Sequence, residues 1–129
     1  ILKCGKNDIA GYIEESFKVI NKYLGISTEL IVSSNLKKDC SLKGQDKVLQ
    51  ICGLLGATEY YNAVGGQELY SFDAFEKHGI KLKFLNTKEI IYDQFGQTFQ
   101  PNLSIIDVMM FNSVEEIMTY LNEFELIEK

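Results

Sequence analysis

Apolar side chains near the start of the chain recur at the spacing of an α-helix. The pattern comprises Ile9, Tyr12, Ile13, Phe17, Ile20 and Leu24. It predicts an amphipathic helix, which Asn7 or Asp8 can cap and which Gly25 can end in the left-handed conformation. The short β-branched run over residues 28–34 then predicts a buried strand.

The alternation of helix and strand continues through the middle of the chain. Residues 47–55 carry a wide apolar face and predict a second helix, which Gly56 ends. Residues 58–63 predict a strand, and Ser71 can cap a short helix that follows it. Residues 80–85 alternate apolar and basic side chains, which predicts a strand with one solvated face near the edge of a sheet.

The last third of the chain predicts a long loop followed by two helices. Residues 89–92 can form a short strand within the loop. Ser104 with Asp107 forms an S-x-x-D pattern, and Ser113 with Glu116 forms the stronger S-x-x-E capping box. Each pattern marks the start of a helix.

The order of these elements defines the predicted fold. Strands that alternate with helices are joined by right-handed crossovers and form parallel sheets. We therefore predict an α/β fold, with a mainly parallel sheet and flanking helices, as a single domain or half of a larger α/β domain. Because helices cover both faces of such sheets, the expected core consists of Ile31, Val32, Leu49, Cys52, Leu55, Tyr60, Leu82 and Phe84.

Composition limits the partners of this chain. The net charge is −5, so the chain as a whole offers no basic surface for nucleic acid. The sequence holds no apolar run long enough to span a membrane. Its cysteines are three in number and lack the C-x-x-C spacing of zinc sites, so we expect no metal and a reducing, cytoplasmic location.

Two polar segments follow predicted strands. Ser33, Ser34 and Asn35 follow the first, and Asn62 with the glycine pair Gly65 and Gly66 follows the second. Ligands of parallel sheets bind at the carboxyl ends of the strands, and hydroxyl and amide groups can bond to sugar hydroxyls or phosphate oxygens. We therefore expect the two segments to lie side by side as a binding site, with Tyr61 or Tyr70 packed on a sugar face. The alternative is that they only form a turn, a cap and a bend.

Four further residues are candidates for a site. His78 is either a surface residue at a helix end or a general base. Asp107 lies in an apolar stretch, so it either caps the helix at Ser104 or faces a cavity, where it could act as a base. Tyr92 and Gln94 either line a cleft or belong to a surface loop.

Four stretches of the sequence resemble the WbqC-like protein family: LGISTELIVSS, YYNAVGGQELY, FEKHGIKLKFL and YDQFGQTFQPNLSIIDVMMFNS. The tyrosine–glutamine spacing and the P-x-L-S-I-I-D run are the most specific parts. Members of the family are longer and carry a glutamine–proline–tyrosine-rich motif that this chain lacks. We therefore expect residues 1–129 to be the C-terminal part of a WbqC-like α/β domain, with an apolar surface that self-association can shield.

The resemblance implies group transfer, such as aminoacyl or glycine transfer to a sugar, in bacterial surface-polysaccharide (O-antigen) biosynthesis. It leaves the cofactor unknown. The ligand it implies is a small molecule, either a sugar or a nucleotide sugar. By matching motif it implicates Tyr61, Asn62, Gly66, Tyr70, Tyr92, Gln94, Ser104 and Asp107. The alternatives are a sugar-binding module without catalysis and a structural half-domain.

Overall fold

The computed structural model contains both helices and strands and describes residue 5, residues 8–96 and residues 98–129. The helices are α1 (Ile9–Leu24), α2 (Gly44–Leu54), α3 (Phe72–Lys77), α4 (Ile105–Phe111) and α5 (Val114–Tyr120). The strands are β1 (Glu59–Ala63), β2 (Lys81–Thr87) and β3 (Phe124–Ile127). The chain forms two compact units, the first from residues 1–35 and 90–122 and the second from residues 36–89 and 123–129.

The described residues of the first unit form three α-helices, and each begins at a capping side chain. The carboxylate of Asp8 accepts a hydrogen bond from the Gly11 N–H at 2.7 Å and so begins α1. Asn7, the other predicted cap, lies outside the described residues. Ser113 and Glu116 form the predicted capping box at the start of α5. The helix starts that the sequence predicted in this unit are therefore confirmed.

The predicted strand over residues 28–34 is wrong. These residues run without strand pairing and end in a short 3-10 turn, Ser33–Asn35. Ile31, which we expected in the core, is 45% exposed. A β-branched run favours extended backbone, but it becomes a strand only where a neighbouring strand bonds to it. Residues 89–92, the other predicted short strand in the loop, are not a strand either.

The second unit is built on a three-stranded mixed sheet in the order β1-β2-β3. β1 and β2 are parallel, with Tyr60 opposite Leu82, and β3 is antiparallel to β2, with Ile127 opposite Phe84. The α/β class is thus confirmed, whereas the expectation of a mainly parallel sheet is not. β2 is the central strand rather than an edge strand, and the sequence pattern did not predict β3.

The core of the second unit lies on one face of the sheet. Leu82 and Phe84 of β2 pack there with Leu49 and Cys52 of α2 and Phe75 of α3. Burial of such side chains stabilises the fold by about 1.5–3 kcal/mol each. Four of the expected core residues are therefore confirmed.

Three other residues that we expected in the core are less buried than predicted. Val32 and Tyr60 are only partly buried. Leu55 follows the end of α2 and is 49% exposed, so its predicted burial is wrong. The apolar face of α2 ends before this position.

A close approach of backbone to side chain follows β1. The chain turns into a 3-10 helix, Val64–Leu69, in which Gly66 is buried. A Cβ atom on Gly66 would lie 3.0 Å from Oδ1 of Asn62, which is tighter than van der Waals contact allows. Gly65, next to it, has no such neighbour within 4 Å.

Gly66→Ala is expected to destabilise the protein by about 1–3 kcal/mol, because Asn62 must shift to make room for the methyl group. The measurement is the free energy of unfolding in urea. Gly65→Ala is the matched control and should leave that free energy nearly unchanged. Equal losses for both variants would contradict the proposed contact.

Candidate functional site

Three of the predicted site residues meet in the first unit. The Tyr92 hydroxyl donates a hydrogen bond to Oδ2 of Asp107 at 2.6 Å, and Nε2 of Gln94 donates to the same oxygen at 2.9 Å. Asp107 is half-buried in the first turn of α4. Burial, and then the hydrogen bond to the carboxylate, raise the pKa of Tyr92. We call these three residues the Asp107 network.

Gln94 also shapes the loop that precedes α4. Its Oε1 accepts a hydrogen bond from the Gln100 N–H at 2.8 Å, and its Nε2 donates to the Gln100 carbonyl at 3.3 Å. One side-chain amide thus pairs with both backbone groups of a residue further along the loop, as a neighbouring strand would. Because Nε2 also reaches Asp107, the carboxylate fixes this pairing in place.

Ser104 begins α4, and its carbonyl accepts a hydrogen bond from the Asp107 N–H at 2.9 Å, but its side chain does not bond to the Asp107 carboxylate as the S-x-x-D pattern predicted. Its Oγ accepts a hydrogen bond from the Ile106 N–H at 3.2 Å. The Asp107 carboxylate instead bonds to Tyr92 and Gln94. Charge-assisted hydrogen bonds to a half-buried carboxylate are the stronger interaction. The capping interpretation of Asp107 is therefore replaced by a network that joins the loop to the helix.

An open cleft of about 690 Å³ lies beside the Asp107 network. Tyr92 and Gln94 face it, and the other lining residues are Ile91, Asp93, Phe95, Gly96, Phe99 and Phe111. The ring centroids of Tyr92 and Phe99 are 5.2 Å apart, and those of Phe95 and Phe111 are 4.6 Å apart, both edge to face. We call this surface the aromatic cleft.

Phe95 is the most exposed aromatic ring of the cleft. Its side chain is 87% exposed, and its φ of 32° lies in the left-handed region that bulky residues rarely adopt. Strained residues of this kind cluster at functional sites. Tyr92 and Gln94 were predicted from the sequence, whereas Phe95, Phe99 and Phe111 were not. The density of aromatic residues in YDQFGQTF was the signal that could have found the first two.

A second polar cluster lies in the second unit. Nδ2 of Asn62 donates a hydrogen bond to the Tyr60 hydroxyl at 2.9 Å, and the Tyr60 hydroxyl lies 3.5 Å from that of Tyr70. The Tyr60 ring stacks on Phe75, with centroids 5.3 Å apart. Burial, and then the contact with Tyr70, raise the pKa of Tyr60 to about 12. These contacts give Asn62 and Tyr70 a packing role.

Tyr61 lies on the opposite face of the sheet from Tyr60. Its hydroxyl donates to Oε2 of Glu59 at 2.6 Å, and Nζ of Lys83 lies 5.4 Å from its ring centroid. The hydrogen bond to Glu59 raises the pKa of Lys83 above its ordinary value. Successive side chains of a strand point to opposite faces, so Tyr61 does not join the cluster of Asn62 and Tyr70.

His78 is exposed at the C-terminal end of α3, the helix-end position that one of its two interpretations expected. Its Nδ1 lies 2.8 Å from the carbonyl oxygen of Ala74, one turn earlier. Ser33, Ser34 and Asn35 belong to the first unit, whereas Asn62, Gly65 and Gly66 belong to the second. The expected contact between these two segments stays a prediction.

Neither a metal cluster nor a membrane span emerges from the described part of the chain. Within residues 8–96 and 98–129, no histidine, cysteine and carboxylate side chains gather into a group that could hold a metal ion. The helices described there are too short or too polar to cross a membrane.

Fold and site together define an α/β protein with an aromatic cleft next to a network around a half-buried carboxylate. The model of the WbqC-like protein family matches residues 1–119 of the chain. The chain therefore belongs to the WbqC-like protein family, as its resemblance indicated. A search of curated proteins and a search of solved structures found no match.

Tyr60 should make the stability of the protein sensitive to alkaline pH. Its pKa of about 12 in the folded protein exceeds the value near 10 of an unfolded tyrosine. The contribution of neutral Tyr60 to the free energy of unfolding is therefore complete below about pH 10 and is lost as pH rises towards 12. Urea unfolding across this range should show a smaller pH dependence for Tyr60→Phe than for the wild type. Tyr23→Phe, at an exposed position of α1, should keep the wild-type dependence, and the same dependence in all three proteins would refute this assignment.

Proposed function

We propose that this protein binds a sugar in the aromatic cleft and takes part in group transfer to that sugar during surface-polysaccharide (O-antigen) biosynthesis. Membership of the WbqC-like family fits a polysaccharide-related role. The observation that carries the proposal is the cleft itself, in which aromatic rings stand beside hydrogen-bonding side chains.

The chemistry of the cleft suits a polyhydroxy ring. Sugars present apolar C–H faces that pack on aromatic rings, and Phe95 and Phe99 offer such surfaces. Sugar hydroxyls need donors and acceptors around their edge, and Asp93 and the Tyr92 hydroxyl are of this kind. The volume of about 690 Å³ lies within the usual range for small-molecule sites.

The Asp107 network gives the cleft a fixed shape. Asp107 is absent from the cleft lining, whereas Tyr92, whose hydroxyl bonds to the Asp107 carboxylate, is one of the lining residues. Asp107 therefore acts on a bound sugar through Tyr92, as a positioning residue. Pre-organisation of this kind lowers the entropic cost of binding.

Sugar binding can be tested by titrating the protein with free sugars and nucleotide sugars and following chemical shifts by NMR. Phe95→Leu removes an exposed ring and keeps an apolar side chain, so binding should weaken about three- to tenfold. Phe17→Leu, which removes an exposed ring from α1, is the matched control and should bind as the wild type does. Binding that is unchanged in Phe95→Leu would contradict the proposed location.

A binding module without catalysis is the second candidate function. One observation favours it: Asp107 is not among the residues that line the cleft, so its carboxylate is not placed to take a proton from a bound sugar. A module of this kind would bind sugar and show no turnover with any acyl donor.

Asp107→Asn separates the roles of this residue. If Asp107 serves as the general base of group transfer, the variant should lose turnover by about 100-fold or more. If it only positions Tyr92, KM should rise while kcat stays close to the wild-type value. The measurement is steady-state kinetics with an acyl donor and a sugar acceptor, with Glu115→Gln as the control for loss of a carboxylate in the same unit. Wild-type kinetics in Asp107→Asn would exclude both roles.

A further inference from the structure

The aromatic cleft carries negative charge and no compensating positive charge. Asp93 is exposed at its wall, and no lysine, arginine or histidine is present among the described residues that line it. The sequence explains this, since residues 90–122 contain four carboxylates and no lysine or histidine, and the chain has no arginine. The lysines of the chain all lie in other segments.

This charge pattern disfavours a phosphate in the cleft. Phosphate groups are bound through arginine or lysine side chains, or through several converging backbone N–H groups at a helix N-terminus. The cleft lining supplies no cation, and its nearest carboxylate would repel the ligand. A diphosphate linked to a sugar would therefore lie outside the cleft or bind weakly.

The same pattern favours a positively charged group. The faces of aromatic rings attract cations, and an ammonium near several rings and a carboxylate is bound by both effects. Tyr92, Phe95, Phe99 and Phe111 supply the rings, and Asp93 supplies the carboxylate. Phe95 is exposed enough to present its ring to a ligand.

We infer that the aromatic cleft selects a sugar that bears a free ammonium group and no phosphate. The inference rests on the proposed function, because it names the class of sugar that the cleft accepts. It also fits the role of acceptor in group transfer, since the ammonium becomes, once it has lost a proton, the amine that an acyl donor would modify.

The test compares three probes of similar size: glucosamine, N-acetylglucosamine and glucose 6-phosphate. Binding is measured by NMR titration at mildly acidic pH, where the amine of glucosamine is protonated. Glucosamine should bind about fivefold more tightly than N-acetylglucosamine, and glucose 6-phosphate should bind most weakly. Tighter or equal binding of the phosphate would overturn the inference.

Two matched variants locate the selectivity. Asp93→Asn removes the carboxylate at the cleft wall and should abolish most of the preference for glucosamine over N-acetylglucosamine. Glu115→Gln removes an exposed carboxylate from the first turn of α5, outside the cleft, and should retain the preference. A preference that survives Asp93→Asn, or that is lost equally in both variants, would contradict the assignment.

The outcomes also separate this inference from the proposed function. If N-acetylglucosamine or glucose 6-phosphate binds as well as glucosamine, and Phe95→Leu weakens that binding, the cleft binds sugars and only the charge selectivity is wrong. If none of the three probes binds, the proposed function and the inference both fail. If glucosamine binds most tightly and Asp93→Asn removes its advantage, both stand.

Discussion

The half-buried carboxylate of Asp107 is the constraint on which the candidate site depends. The loop before α4 has no helix or strand among its described residues, so it lacks the regular hydrogen bonds that hold other segments in place. Gln94 supplies part of the missing hydrogen bonding by pairing with the backbone of Gln100. The Asp107 carboxylate in turn accepts hydrogen bonds from Gln94 and Tyr92. A carboxylate removed from water is costly unless it is bonded, and these contacts offset that cost.

Elements set by neighbouring residues were predictable from the sequence. The apolar spacing of α1 and the capping box of Ser113 and Glu116 are signals contained within a few residues, and both are confirmed. β1 was also predictable, because its flanking glycine and polar residues mark where the strand ends. In each case, the physical cause of the element lies within the segment itself.

Elements that depend on a distant partner were not predictable. The run over residues 28–34 has the composition of a strand but no strand beside it. By contrast, β3 is a short segment that contains the charged Glu125, and it pairs with β2. The same dependence on distant partners limited the prediction of the candidate site. Tyr92, Gln94 and Asp107 could be named one by one, but the carboxylate that both others share depends on how the loop folds back on α4. The role of Phe111 in the cleft likewise follows only from the folded chain.

Both units of this protein are discontinuous in sequence. β2 and β3 are neighbours in one sheet, although residues 90–122 of the first unit separate them along the chain. The first unit is interrupted in the same way by residues 36–89. Contacts between segments so far apart require the closure of long loops, which slows folding. During synthesis on the ribosome, the edge of β2 that pairs with β3 stays unpaired until residues 124–127 are made. The sheet is therefore completed only after the whole first unit has been synthesised.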